Sequence, residues 1–221
     1  MITGFSRINL EVPDLAAARQ EYANLLGTIS GDRVSLANVE IHLAENRELE
    51  QPRISSLSFL DTELESAGPV SLPGRNRGLT LSSCKHRDTP AGPVSTGIVA
   101  VDHVVLRSND ADDCIEVFGE PGLGLRLALD QMVPEWGGRM LFFRSGKMTL
   151  EVIQSLEQPV EQDHFWGITY LTEDIDRTLS TLDAKGVAHS PVRDGRKPGT
   201  RVSTIKSHTL GLPTLLIEPA R

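Results

Sequence analysis

The chain is poor in cysteine and aromatics, has no long apolar run and carries no excess of positive charge. Two cysteines, Cys84 and Cys114, in 221 residues make neither a disulfide framework nor a CxxC spacing, so reduced thiols in a cytoplasmic protein are expected. A formal net charge of −8, from 22 basic and 30 acidic residues, argues against nucleic acid or an anionic membrane as partner. No apolar run approaches the roughly 20 residues of a membrane helix. The opening MITGFSRINLEV also lacks the charged and then apolar regions of a secretory signal. The glycines of 119–124 end a helical pattern rather than open one, so they make no dinucleotide fingerprint. GxSxG, HExxH and Walker patterns are absent. What remains is 39% hydrophobic and 24% charged, a soluble globular composition. The length suffices for one large domain or two small ones.

Periodicity divides the chain into four stretches of similar plan. Residues 7–12 read as a strand. Residues 14–26 read as a helix, with Asp14 as N-cap and Gly27 as stop. Strands at 34–36 and 39–43 follow, joined by a tight turn. The second stretch is short: a strand at 56–60, a helical piece near 63–67, a Gly/Pro/Arg-rich loop at 68–78 and a strand at 79–83, with 84–97 as linker. The third is the clearest. It has a strand at 99–106, a helix at 111–118 capped by Asn109 or Asp110, and strands at 125–129, 140–143 and 148–153. The fourth has a strand at 167–171, a helix at 175–185 with Asp174 as cap and Gly186 as stop, and strands near 189–192, 201–207 and 214–218.

Offsets make the repeat quantitative. Arg7 to Asp14, Ser56 to Glu63, His103 to Asp110 and Gly167 to Asp174 are each seven residues. Arg7, Ser56, His103 and Gly167 therefore take equivalent places on four first strands. His103 to Glu151 is 48 residues and Gly167 to Glu218 is 51, and both last strands read apolar-Glu, LEVI and LIEP. Repeats of this length mark units that bury their apolar faces only by pairing.

This plan resembles the vicinal oxygen chelate superfamily, which holds glyoxalases, bleomycin-resistance proteins and extradiol dioxygenases. The phrases VDHVVLRS, INLEVPDLAAAR, MTLEVI and TLLIEP carry the likeness. It implies an α+β fold of βαβββ modules in cupped mixed sheets, with a reduced N-terminal pair over 1–97 and a fuller C-terminal domain over 98–221 (modules 98–156 and 164–221). The superfamily's metal positions fall here on His103, Glu151, Gly167 and Glu218, of which Gly167 cannot be a ligand. His42 matches a last-strand position in the N-terminal half, opposite Arg7. The resemblance implies a divalent metal (Zn, Mn, Ni, Co or Mg, with Fe less favoured) and a lyase or isomerase acting on a small vicinal-oxygen substrate. The alternatives are a metal-free ligand-binding protein of bleomycin-resistance type and an extradiol-type dioxygenase. The cup could close within one chain or across a homodimer.

On a strand, alternate side chains share a face, which puts His103 with Val101 and Val105, and Glu151 with Thr149 and Ile153. Carboxylates in such apolar strands cost several kcal/mol to bury unless paired or metal-bound. One imidazole and two carboxylates suit a borderline or hard divalent ion, and an open position would admit substrate oxygens. Glu151 and Glu218 are then the proton-moving candidates. His164, three residues before Gly167, would need a loop or bulge to replace it as a ligand. His208, in the last hairpin, is a pocket candidate. In the basic run RDGRKPGTR, Arg196, Lys197 and Arg201 form a candidate anion clamp. Trp136 and Arg139, in PEWGGR, are candidates for a pocket edge. Tyr170 and Trp166 fit core packing on the helix-facing side.

Overall fold

The computed structural model describes residues 1–27, 29–65, 70–72, 76–85 and 95–220. The side chain of Trp136, and the expected linker between 86 and 94, lie outside the described residues. Among the described residues three α-helices and fourteen strands follow one another, in the α+β order that the repeat implies.

The helices begin where acidic caps place them. Asp14, Asp110 and Asp174 each accept a hydrogen bond from the backbone N–H three residues on, at 3.0 Å, to start α1 (Leu15–Leu26), α2 (Ala111–Phe118) and α3 (Ile175–Asp183). Such a cap satisfies one of the four unbonded N–H groups at a helix start. The alternative cap Asn109 is used elsewhere. The helical piece expected near 63–67 is not formed at 63–65, and 66–69 lie outside the described residues.

The chain divides into two compact units that interleave in sequence. The first comprises Met1–Arg7, Ser55–Asp88 and His103–Trp166; the second comprises Ile8–Ile54, Thr89–Asp102 and Gly167–Arg221. Strands β1 (Ile2–Val12), β4 (Arg53–Asp61), β7 (Ile98–Arg107) and β11 (His164–Thr172) each pass from one unit into the other.

In the first unit, β4 pairs in parallel with β6 (Thr80–Cys84), which pairs antiparallel with β5 (Val70–Ser71). The C-terminal half of β7 pairs in parallel with β10 (Met148–Ser155); β9 (Gly138–Ser145) and β8 (Arg126–Val133) follow antiparallel. Helix α2 packs on β9 and β10. Val104, Leu106, Leu141, Phe143, Leu150 and Val152 are fully buried on that side, with Cys114 and Phe118 from the helix. The Phe118 and Phe143 rings lie 5.7 Å apart. Pro134 cannot continue the ladder, and it ends β8 in a single 3-10 turn over Pro134–Trp136.

In the second unit, β2 (Arg33–Ser35) pairs with β3 (Glu40–Glu45), against which α1 packs. There β11 pairs in parallel with β14 (Thr214–Glu218), followed by β13 (Arg201–Ile205) and β12 (Arg193–Asp194). The strand expected at 189–192 shrinks to one bridge, His189 with Ile205, because Pro191 has no N–H to donate. Tyr22 of α1 and Tyr170 of β11 are both buried, and burial drives both phenol pKa values up.

Candidate functional site

The parallel register of β7 and β10 sets Thr149 beside His103 and Glu151 beside Val105. His103, Val105, Thr149 and Glu151 therefore share the face turned away from α2. On β9, Phe142 lies beside Glu151 and Met140 beside Ile153, which continues an apolar surface. On it His103 Nε2 meets Glu151 Oε2 at 3.0 Å, with the two side chains 16% and 13% exposed. A carboxylate on one ring nitrogen fixes the orientation of an imidazole. This pair joins two residues that sequence spacing had singled out.

Glu218 is placed differently. It is buried, and Oε2 accepts the Ile175 backbone N–H at 2.8 Å, with Arg201 at 3.5 Å. Its counterpart in the third module is Gln154, whose Oε1 accepts the Ala111 N–H at 3.3 Å. Ala111 and Ile175 are the first residues of α2 and α3. Gln154 follows His103 by 51 residues, just as Glu218 follows Gly167 by 51. The equivalence of Glu218 with Glu151 is thus corrected by three residues. The register pairs Thr169 with Leu215 as it pairs Val105 with Glu151, so the true counterpart of Glu151 is Leu215. Gly167, the counterpart of His103, has no room for a side chain: a Cβ there would lie 2.6 Å from the Pro213 carbonyl oxygen.

Among the described residues no three His, Cys, Asp or Glu side chains converge so as to hold a metal ion. The set His103, Glu151 and Glu218 is not such a cluster. The residues present therefore do not fit a resident divalent ion held by three side chains.

The remaining candidates scatter. Exposed His164 bonds the Gln162 carbonyl through Nδ1 at 3.0 Å. Arg139 joins Asp130 by two hydrogen bonds and Asp112 by one, each 2.7 Å; the Asp130 carboxyl is held below its ordinary pKa by that guanidinium. Arg201 forks onto Asp176 at 2.9 Å, which lowers the Asp176 pKa. Arg196 and Lys197 are exposed on the turn after β12. His208 Nδ1 lies 2.9 Å from Ser207 Oγ. Tyr170 is buried core, whereas Trp166 is 41% exposed, so its expected core role is corrected. In the N-terminal half, His42 Nε2 meets Glu40 Oε2 at 3.0 Å.

Two features carry no signal in the sequence. Arg77, in the loop before β6, donates to both Asp163 oxygens (Nε at 2.5 Å, Nη2 at 3.0 Å), to Asn109 at 2.6 Å and to Asp113. The second is a pocket of about 250 Å³ lined by Arg107, Ile153, Ser155, Glu157, Gln158 and Trp166. Alternation along β7 and β10 puts Arg107, Ile153 and Ser155 on the face that carries His103 and Glu151.

Mixed sheets built from βαβββ-type modules, with a polar pair on the face turned away from the helix, define a vicinal oxygen chelate architecture. Residues 102–204 match the Glyoxalase/Bleomycin resistance protein/Dioxygenase superfamily, so this stretch of the chain is similar to that superfamily. Among solved structures it is similar to a 4-hydroxymandelate synthase variant from Streptomyces coelicolor, with TM-score 0.74 and 15% identity over 100% of this chain and 94% of that one. It is also similar to methylmalonyl-CoA epimerase from Mycobacterium tuberculosis, with TM-score 0.50 and 20% identity over 59% of this chain and 94% of that one. At these identities the likeness is one of fold. No curated protein sequence matches. Among the described residues no helix is long and apolar enough to cross a membrane.

Proposed function

We propose that this chain binds a small oxygenated molecule at the sheet face of the first unit turned away from α2 and moves a proton on it, as a lyase or isomerase does. The observation that carries the reading is the 3.0 Å contact of His103 with Glu151 on a face shared with Val105, Met140, Phe142 and Ile153. Glu151 holds the imidazole and balances its charge; His103 takes a proton from carbon beside a carbonyl or hydroxyl and returns it. Val105, Met140, Phe142 and Ile153 keep that face poor in water, which strengthens the charge interactions of the pair. A divalent metal, which the resemblance implied, would polarise the substrate oxygens. The residues present do not supply its three side-chain ligands, and no step is routed through it.

A second reading is a metal-free protein that sequesters its ligand. It is favoured by Gly167 and Leu215, which leave the counterpart of the pair without chemistry. Incubation with 2-oxo and 2-hydroxy acids in D2O, followed by NMR, separates the two. Carbon-bound deuterium appearing with wild type and lost in His103→Gln supports proton transfer. Binding without exchange supports sequestration. Stoichiometric metal in protein purified without chelator, lost in Glu151→Ala, would overturn the metal-free account of both.

A further inference from the structure

Arg107 lies at the end of β7 on the face of the His103–Glu151 pair. Among the described residues it makes one hydrogen bond, from Nη2 to the Gln158 carbonyl at 2.8 Å, and no ion pair. Two other arginines of unit one are matched differently: Arg77 and Arg139 each bind two carboxylates. An unmatched guanidinium beside a pocket is notable in a chain where acids outnumber bases, 30 to 22. Trp166 and Ile153 give the same pocket an aromatic and an aliphatic wall. Glu157 also lines it, but not within ion-pair distance of Arg107, and it is exposed to water.

We propose that this pocket holds an aryl carboxylate portion of the ligand, with the carboxylate on Arg107 and the ring against Trp166. The proposal rests on the reading of the His103–Glu151 pair as the working group of the same face, and it names the class of molecule presented there. The guanidinium fork matches a carboxylate bidentately, and an aromatic face takes a flat ring. A volume of about 250 Å³ is that of roughly eight water molecules at 30 Å³ each, which suits one ring with its carboxylate. Along β10, Ile153 lies two residues beyond Glu151, about 7 Å. A ring seated at Ile153 and Trp166 therefore leaves its substituent within reach of the pair.

The test titrates the full chain with benzoate and phenylacetate, against cyclohexanecarboxylate and benzyl alcohol, by tryptophan fluorescence and by NMR of the ligand. The chain has two tryptophans, so Trp166→Leu assigns the signal. Saturable quenching by the aryl acids, lost in Trp166→Leu and weakened about tenfold in Arg107→Gln, supports the proposal; a charged hydrogen bond is worth about that factor. Arg107→Lys should fall between wild type and Arg107→Gln. Equal binding of benzyl alcohol and benzoate by wild type would overturn it without recourse to any variant. So would unchanged affinity in Arg107→Gln or absence of saturable binding. His103→Gln should keep aryl-acid binding. Aryl-acid binding with no deuterium exchange on any substrate would leave this pocket standing and remove the proton-transfer function. Exchange on substrates without an aryl acid, and no aryl-acid binding, would do the reverse.

Discussion

Replacing Arg77 by methionine should unfold the first unit more readily than any single change on its surface. The Arg77 side chain is 11% exposed, that of Asp163 0% and that of Asp113 9%. Its contacts tie the loop before β6 to the start of α2 and to residue 163, which is 86 positions away. Desolvating three charges is expensive, so the network adds little over a well-packed apolar substitute. Removing this guanidinium, however, takes the counter-charge from Asp163, whose side chain is 0% exposed. Breaking a buried pair in this way costs about 3–5 kcal/mol. For a chain of this length that is a fall in Tm of about 6–20 °C, at 2–4 °C per kcal/mol. Asp163 also accepts the Asn109 N–H at 3.2 Å, so Asp163→Asn in the Arg77→Met background keeps a partner, removes one stranded charge and should recover part of the loss. The assay is urea unfolding followed by far-UV circular dichroism, on wild type, both single variants and the double. A loss below about 1 kcal/mol in Arg77→Met, the range of an exposed pair, would refute the reasoning. Strict additivity of the two changes would refute it as well.

Three further outcomes follow from the geometry. Burial pushes the Cys114 thiol up to about 12, so native protein at pH 8 should resist iodoacetamide at Cys114, read by peptide mapping. The unfolded chain releases that proton near pH 8.5 while the folded one keeps it to about 12; stability from this thiol is intact below pH 8.5 and declines between the two values. Glu218→Ala should lower stability by about 1–3 kcal/mol by stranding the Ile175 N–H, with Glu218→Gln milder, by thermal melts. Gly167→Ala should cost about 1–3 kcal/mol, because its Cβ meets the Pro213 carbonyl. Gly167→His should not raise zinc affinity in a competition titration.

The fold was largely legible because its signals are local. An aspartate seven residues after each first-strand position caps a helix in three of four modules, and period-two apolar runs mark most strands. The pair His103 and Glu151 was legible for the same reason: two polar residues interrupt apolar strands at places the repeat aligns. LEVI and LIEP look alike and set Glu218 against Glu151, although the constant spacing of 51 residues to Gln154 and Glu218 contains the answer. Their shared task, accepting a helix-start N–H, shows only in three dimensions. Arg77 lay in a Gly/Pro/Arg-rich loop with no periodicity, and nothing local couples it to a residue 86 positions on. Strand alternation puts Trp166 on the face of buried Tyr170, but alternation does not say how far the burying layer extends along a strand.

The central claim is that His103 and Glu151 act together on a bound substrate. Its most direct measurement is the deuterium-exchange rate at saturating substrate, in wild type, His103→Gln, Glu151→Gln and the double variant. Loss of the acid–base group should lower that rate about 100-fold or more, with the KM little changed and the double variant no slower than His103→Gln alone. Exchange that survives in His103→Gln at the wild-type rate would contradict the account.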